Sequence, residues 1–211
     1  MARRNPRTGG EMRRFWPILL ALLAALPATA ADRAPTYLPT HDVAVSYQVS
    51  GKAAQQVRSV LARFSAARNL LRLETEDRGM GFVLVDLLAR TAKLMVPSVH
   101  QAVDLPLARD RRAALLFGDG VRFTRRGNSH VLGRPCVDWD VQADRDTATV
   151  CLTADGVLLR AQGRGGEAAD SSLVATKIEE APQSPSLFRM PSGGGGMNLP
   201  DILRPFLSPP R

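Results

Sequence analysis

Lysine is scarce in this chain: Lys52, Lys93 and Lys177 are the only three, and the other basic residues are arginines. Aromatic residues are few as well, 5% of 211. Beyond the first thirty residues the densest basic groups are Arg109-Arg111-Arg112 and Arg125-Arg126. Nucleic-acid binding asks for a clustered positive face with stacking rings beside it. Both are wanting here, so the net charge of +8 does not point to a nucleic-acid partner. Five arginines and a single glutamate fall in the first thirty residues, which leaves +4 on the remainder.

Signatures of chemistry are missing too. There is no G-x-S-x-G elbow, and the GGGG near the C-terminus lacks the strand-before, helix-after setting of a phosphate loop. His41, His100 and His130 each stand in a strand edge or turn, where a lone histidine is ordinarily solvated or hydrogen-bonded. Asp138 and Asp140 form an i, i+2 carboxylate pair on what reads as the outer face of a strand, the ordinary place for acids. The two cysteines have neither the four-ligand company of a zinc site nor the close C-x-x-C spacing of a redox pair. No enzyme activity, metal or cofactor is therefore expected.

Long apolar runs are limited to FWPILLALLAALP (Phe15 to Pro27). It follows Arg3, Arg4, Arg7, Arg13 and Arg14 and precedes the small residues Ala28-Thr29-Ala30. Basic, apolar and small, in that order, is the plan of a secretory signal peptide. Cleavage is expected between Ala30 and Ala31, with no cysteine nearby to take a lipid. The run is too short for a comfortable membrane span, so no stable span is expected after cleavage.

The remainder divides into a lead (31–39), a β domain (40–191) and a Gly/Pro-rich tail (192–211) expected to be mobile. Within the domain, short segments of period-two alternation recur at steady spacing with turn residues between them. VAVSYQV, LLRLETE, FVLVDLLA, TAKLMV, HQAVDLP, VRFTRRG and SLVATKIEE are examples, and they predict an antiparallel all-β domain. QQVRSVLARFSAARNLL fits a helix through Val57, Val60, Leu61 and Phe64, but AARN reads as a turn and strand is preferred. LARDRRAALLFG (107–118) is the better helix candidate.

The stretch RPCVDWDVQADRDTATVCLTADGVLLRA holds both cysteines. Val137, Trp139 and Val141 alternate against Cys136, Asp138 and Asp140, and Val150 and Leu152 against Thr149, Cys151 and Thr153. A hairpin turning at Ala143-Asp144 would set Val137 opposite Val150, Trp139 opposite Ala148 and Cys136 opposite Cys151. A cross-strand pair is within disulfide reach, and in an exported chain a Cys136–Cys151 bridge is expected. Asp155-Gly156 then starts the next hairpin.

The signal segment, the VxVxY strand, the LRLE strand, the Gly133/Cys136/Asp138/Trp139 segment, C-L-T-A-D-G-V-L-L-R and the final L-F-R-M-P together resemble uncharacterised exported proteins of Gram-negative bacteria. Their architecture is similar to the lipoprotein-carrier superfamily with the LolA/LolB-like fold. The resemblance spans about residues 42 to 191. It implies a mainly β fold: an antiparallel, curved, incompletely closed barrel with one or two short covering helices. The carriers line their cavity with aromatics, whereas this chain has few.

The function expected is that of a periplasmic binding or carrier-like protein with an apolar concave sheet face. Phe82, Leu84, Trp139 and Val141 are the candidate groove, and a lipid or lipoprotein is the expected ligand. The alternative is a cell-envelope protein-interaction module whose hollow is filled by its own side chains.

Overall fold

Alternation of apolar and polar residues marks a half-buried strand, and most of the eleven strands of this chain show it, FVLVD (Phe82–Asp86) being an exception. The computed structural model describes residues 34–55, 57–75, 81–96, 101–106, 117–118, 120–166 and 169–190, all within the unit Asp32–Arg211. The expected signal peptide, its Ala30/Ala31 cleavage site, the tail from 192 and most of the 107–118 helix lie outside these residues.

The strands are β1 (Val43–Gly51), β2 (Ser59–Ser65), β3 (Leu70–Thr75), β4 (Phe82–Asp86), β5 (Thr91–Val96) and β6 (Gln101–Leu105). They continue as β7 (Arg122–Val131), β8 (Arg134–Ala143), β9 (Asp146–Leu152), β10 (Leu158–Gly165) and β11 (Ser171–Glu179). All pair antiparallel in one sheet of order β6-β5-β4-β3-β2-β1-β11-β10-β9-β8-β7. Two meanders, β1 to β6 and β7 to β11, are thus joined by the pairing of the first strand with the last. Among the described residues β6 and β7 do not pair, so the sheet stays open, a mainly β, antiparallel half-barrel.

Turn chemistry sets the corners. Asn69 ends the AARN turn at φ +53°, a left-handed conformation that asparagine tolerates, and β2 and β3 run on either side of it. The strand reading of this region is therefore the one the molecule has. Leu132-Gly133 turns β7 into β8 with both residues at positive φ. The β8–β9 turn falls at Asp144-Arg145, because Ala143 pairs with Asp146. Val137 thus faces Leu152, Trp139 faces Val150 and Cys151 faces Asp138. The expected pairing is corrected by two residues, which leaves every side chain on its expected face.

The bridge forms in spite of the shift. Cys136 and Cys151 are joined with Cα atoms 5.5 Å apart, as diagonal rather than directly opposed partners. The disulfide packs with Val157, Leu159, Val43, Val45, Tyr47, Phe64 and Ala175 in the main core. Leu159 sits where the β9–β10 register shifts, between Leu158 and Arg160, and is fully buried. Tyr47 donates its hydroxyl to the Leu158 carbonyl at that irregularity, 2.8 Å away. Burial pushes the Tyr47 phenol well above its ordinary range, so it stays a donor.

The helical elements lying within the described residues are two 3-10 turns, Lys52–Gln55 and Pro185–Phe188. The second packs against β3 and buries Phe188. No helix among the described residues is long and apolar enough to cross a membrane.

Candidate functional site

Neighbouring side chains on one face of a sheet can be followed from pair to pair. Trp139 faces Val150, Val150 faces Ala161, Ala161 faces Leu173, and Leu173 faces Val49. Alternation along β1 leads from Val49 through Tyr47 and Val45 to Val43. Val43 faces Phe64, Phe64 faces Leu71, Leu71 faces Val85, Val85 faces Ala92, and Ala92 faces Leu105. The apolar residues along this path fall in two clusters: Trp139 and Val150 belong to one, while Leu173, Tyr47, Val45, Val43, Phe64 and Leu71 belong to the main core, which also takes in the disulfide from the Asp138 side of β8 and β9. The other face carries Asp138, Arg160, Gln48, Ser46, Arg63, Arg72, Glu74, Lys93 and Asp104 at the intervening positions, together with the disulfide at β8–β9 and with Phe82, Leu84, Ala102 and the buried Met95 on β4 to β6.

The four groove candidates divide between these faces. Trp139 and Val141 lie together on the apolar face and form a buried cluster with Leu152. Phe82 and Leu84 do not join them. They alternate with Val83 and Val85, so their side chains fall on the other face, opposite Glu74 and Arg72. The Arg72 guanidinium lies 3.4 Å from the Phe82 ring centre, a cation–π contact. Arg72 also donates to Glu74 (2.7 Å) and to the Leu187 carbonyl (2.7 Å). Partial burial raises the Glu74 carboxyl, but the Arg72 hydrogen bond and charge, with Arg63 adding to them, hold it below the usual value. The residues of β4 that belong to the apolar face are Val83 and Val85.

At its β7–β9 end the apolar face is closed by the chain's own lead. The Tyr37 ring stacks on Phe123 with centroids 5.9 Å apart, and Phe123 meets Trp139 edge-on at 6.4 Å. Gly118 accommodates this arrangement: a side chain there would strike the Tyr37 hydroxyl. Toward β3, β4 and β5 the corresponding residues Leu73, Val83 and Leu94 are only half-buried.

The carboxylates on the other face are already engaged. Asp138 accepts from Ser129 and from Arg160 (2.9 Å); Asp140 accepts from Thr149 (3.1 Å) and lies 3.5 Å from Arg126. Such paired acids do not form a free acid/base dyad. Beside the disulfide, a cleft of about 530 Å³ is lined by Ser129, His130, Arg134, Cys136 and Asp155 among others. Asp155, which lines it, converges with the side chains of His41 and Glu180, and Arg134 donates to Glu180. Nothing in the sequence announces this group: its members sit before β1, in the β9–β10 turn and after β11. His130 lines the cleft without joining the cluster, and His100 lies outside the described residues.

These features define a class, an open antiparallel half-barrel with one apolar face and one face of mixed polarity. No family model and no curated protein matches the chain. Among solved structures it is similar to an uncharacterized conserved protein from Thermus thermophilus, at 14% identity. That match covers 75% of this chain and 90% of the other, with a TM-score of 0.52. A Pseudomonas aeruginosa MucA/MucB complex matches at 14% identity over 70% of this chain, with a TM-score of 0.46; this chain spans 55% of that one. A LolA superfamily protein from Nitrosomonas europaea matches at 11% identity over 73% of this chain and 92% of its own, with a TM-score of 0.35.

Proposed function

We propose that this is an exported envelope protein that shields an apolar ligand, the acyl chain of a lipid, on the apolar face of its open sheet. The observation that carries the reading is the apolar run that pairs without interruption from Val43 through Phe64, Leu71, Val85 and Ala92 to Leu105. The acyl chain lies over Leu73, Val83 and Leu94, where the face is half-buried, and not at Trp139, which Tyr37 covers. Burial yields about 0.8 kcal/mol per methylene before ordering costs, enough for useful affinity with a dozen methylenes. Export to the periplasm is supported by the signal-like first thirty residues and by the disulfide, which suits an oxidising compartment.

A fluorescent fatty-acid probe tests this. The protein should take up the probe, Leu94→Glu should weaken uptake about tenfold or more, and Leu84→Glu on the opposite face should leave it within about twofold. Absence of uptake, or equal losses in the two folded variants, would rule out the face. Self-coverage by Tyr37 favours a second reading, a protein-interaction module, and that reading would then take precedence.

A further inference from the structure

We propose that His41, Asp155 and Glu180 form a binding site for a divalent transition-metal ion. The His41 Nδ1 is 3.5 Å from an Asp155 oxygen and its Nε2 is 3.9 Å from a Glu180 oxygen. One ligand atom from each residue can be chosen such that all lie within 4.8 Å of one another. The Glu180 separation is too long for a hydrogen bond. Ligands held about 2.0–2.2 Å from one ion at tetrahedral angles sit roughly 3.3–3.6 Å apart. An imidazole gives one ion a single nitrogen, so His41 would bind through Nε2 on the Glu180 side, and the Asp155 carboxylate would swing from the Nδ1 side to join them.

A second observation points the same way. The His41 side chain is 36% exposed, but its Nε2 atom is itself shielded from solvent and has no hydrogen-bond partner. Buried polar atoms are nearly always satisfied, and an ion is one of the few things that would satisfy this one. Charge agrees. The carboxylates of Asp155 and Glu180 attract a cation, and among the contacts of the cluster one guanidinium, that of Arg134, faces them. An imidazole with two carboxylates suits Zn²⁺.

The donors are held in place by the backbone around them. The Thr40 amide donates to the Asp155 carbonyl (3.0 Å), which sets His41 beside the β9–β10 turn. The Asp42 carboxylate accepts from the amides of Ala66 and Gln183, both at 2.8 Å, and so brings the residues after β11 alongside. Thr153 donates to the second Asp155 oxygen, an outer-shell contact that anchors that end of the carboxylate. Gly156, at φ +87°, is pressed against the Leu38 carbonyl, where any side chain would collide. Asp155 and Arg134 also line the cleft of about 530 Å³, which gives an ion a route in. An ion here would tie the lead, the β9–β10 turn and the end of β11 together.

Isothermal titration of the chelator-stripped protein with Zn²⁺ tests the site. One equivalent should bind and the thermal midpoint should rise. His41→Ala and Asp155→Asn should each weaken binding about tenfold or more. Glu180→Gln, in an exposed residue outside any strand, should do the same with the apo midpoint little changed. No saturable one-to-one binding, or an unaltered affinity in His41→Ala and Glu180→Gln, would overturn the proposal.

Discussion

Loss of the Cys136–Cys151 bridge should lower the unfolding free energy by about 2–4 kcal/mol. The bridge closes a loop with a sequence separation of 15, and in the chain-entropy account that restricts the unfolded ensemble by roughly 3 kcal/mol. Its sulfurs also fill space in the main core, where Cys151 is 0% and Cys136 4% exposed. Cys136→Ser leaves a hydroxyl in that apolar setting with no designed partner, so it should sit at the upper end of the range. The double alanine variant avoids the hydroxyl and reports the cross-link with less distortion. Urea unfolding of oxidised wild type against both variants measures it, and the denatured oxidised protein should contain no free thiol. Coincident unfolding curves would mean that the bridge contributes nothing.

Leu159→Ala should be the most damaging single core substitution, at about 3–5 kcal/mol. Leu159 is fully buried at the register shift of β9–β10 and packs in the cluster that contains the disulfide. Two strands and a cross-link hold its surroundings, so the cavity cannot collapse. Leu132, 52% exposed in the β7–β8 turn, is the control, and its alanine variant should stay within about 0.5 kcal/mol. Because Leu159 and the bridge share one cluster, combining the two changes should give a loss different from the sum of the single losses. A Leu159→Ala loss below about 1 kcal/mol would show that this core is loosely packed.

Much of this architecture is written in the sequence. The parities of β8 and β9 follow from alternation, the antiparallel class from short strands at steady spacing with turn residues between them, and the turn at Asn69 from AARN. The register of the β8–β9 hairpin does not. A strand repeats every two residues, so a slip of two keeps each side chain on its own face and the pattern cannot register it. Only the turn distinguishes the alternatives, and the signal lay in Asp144. It takes φ +52°, which aspartate tolerates better than the alanine before it.

The assignment of Phe82 and Leu84 to the groove failed for a related reason. FVLVDLLA is apolar at both parities, so β4 alone does not reveal which of its residues face the core. The answer lies in its partners: Leu84 pairs with Arg72 and Lys93, while Val83 pairs with Leu73 and Leu94. That information is non-local. The convergence of His41, Asp155 and Glu180 is non-local in the same sense, since a sheet that returns β11 to β1 is what brings the lead and the end of β11 together.

Native mass spectrometry of the protein, expressed from its full sequence and isolated without detergent, bears most directly on the apolar face as a ligand seat. A bound species should add the mass of a fatty acid or lipid to the polypeptide, and Leu94→Glu should lose it while Leu84→Glu keeps it. A bare polypeptide mass for all three proteins, each folded and with the bridge intact, would contradict the account.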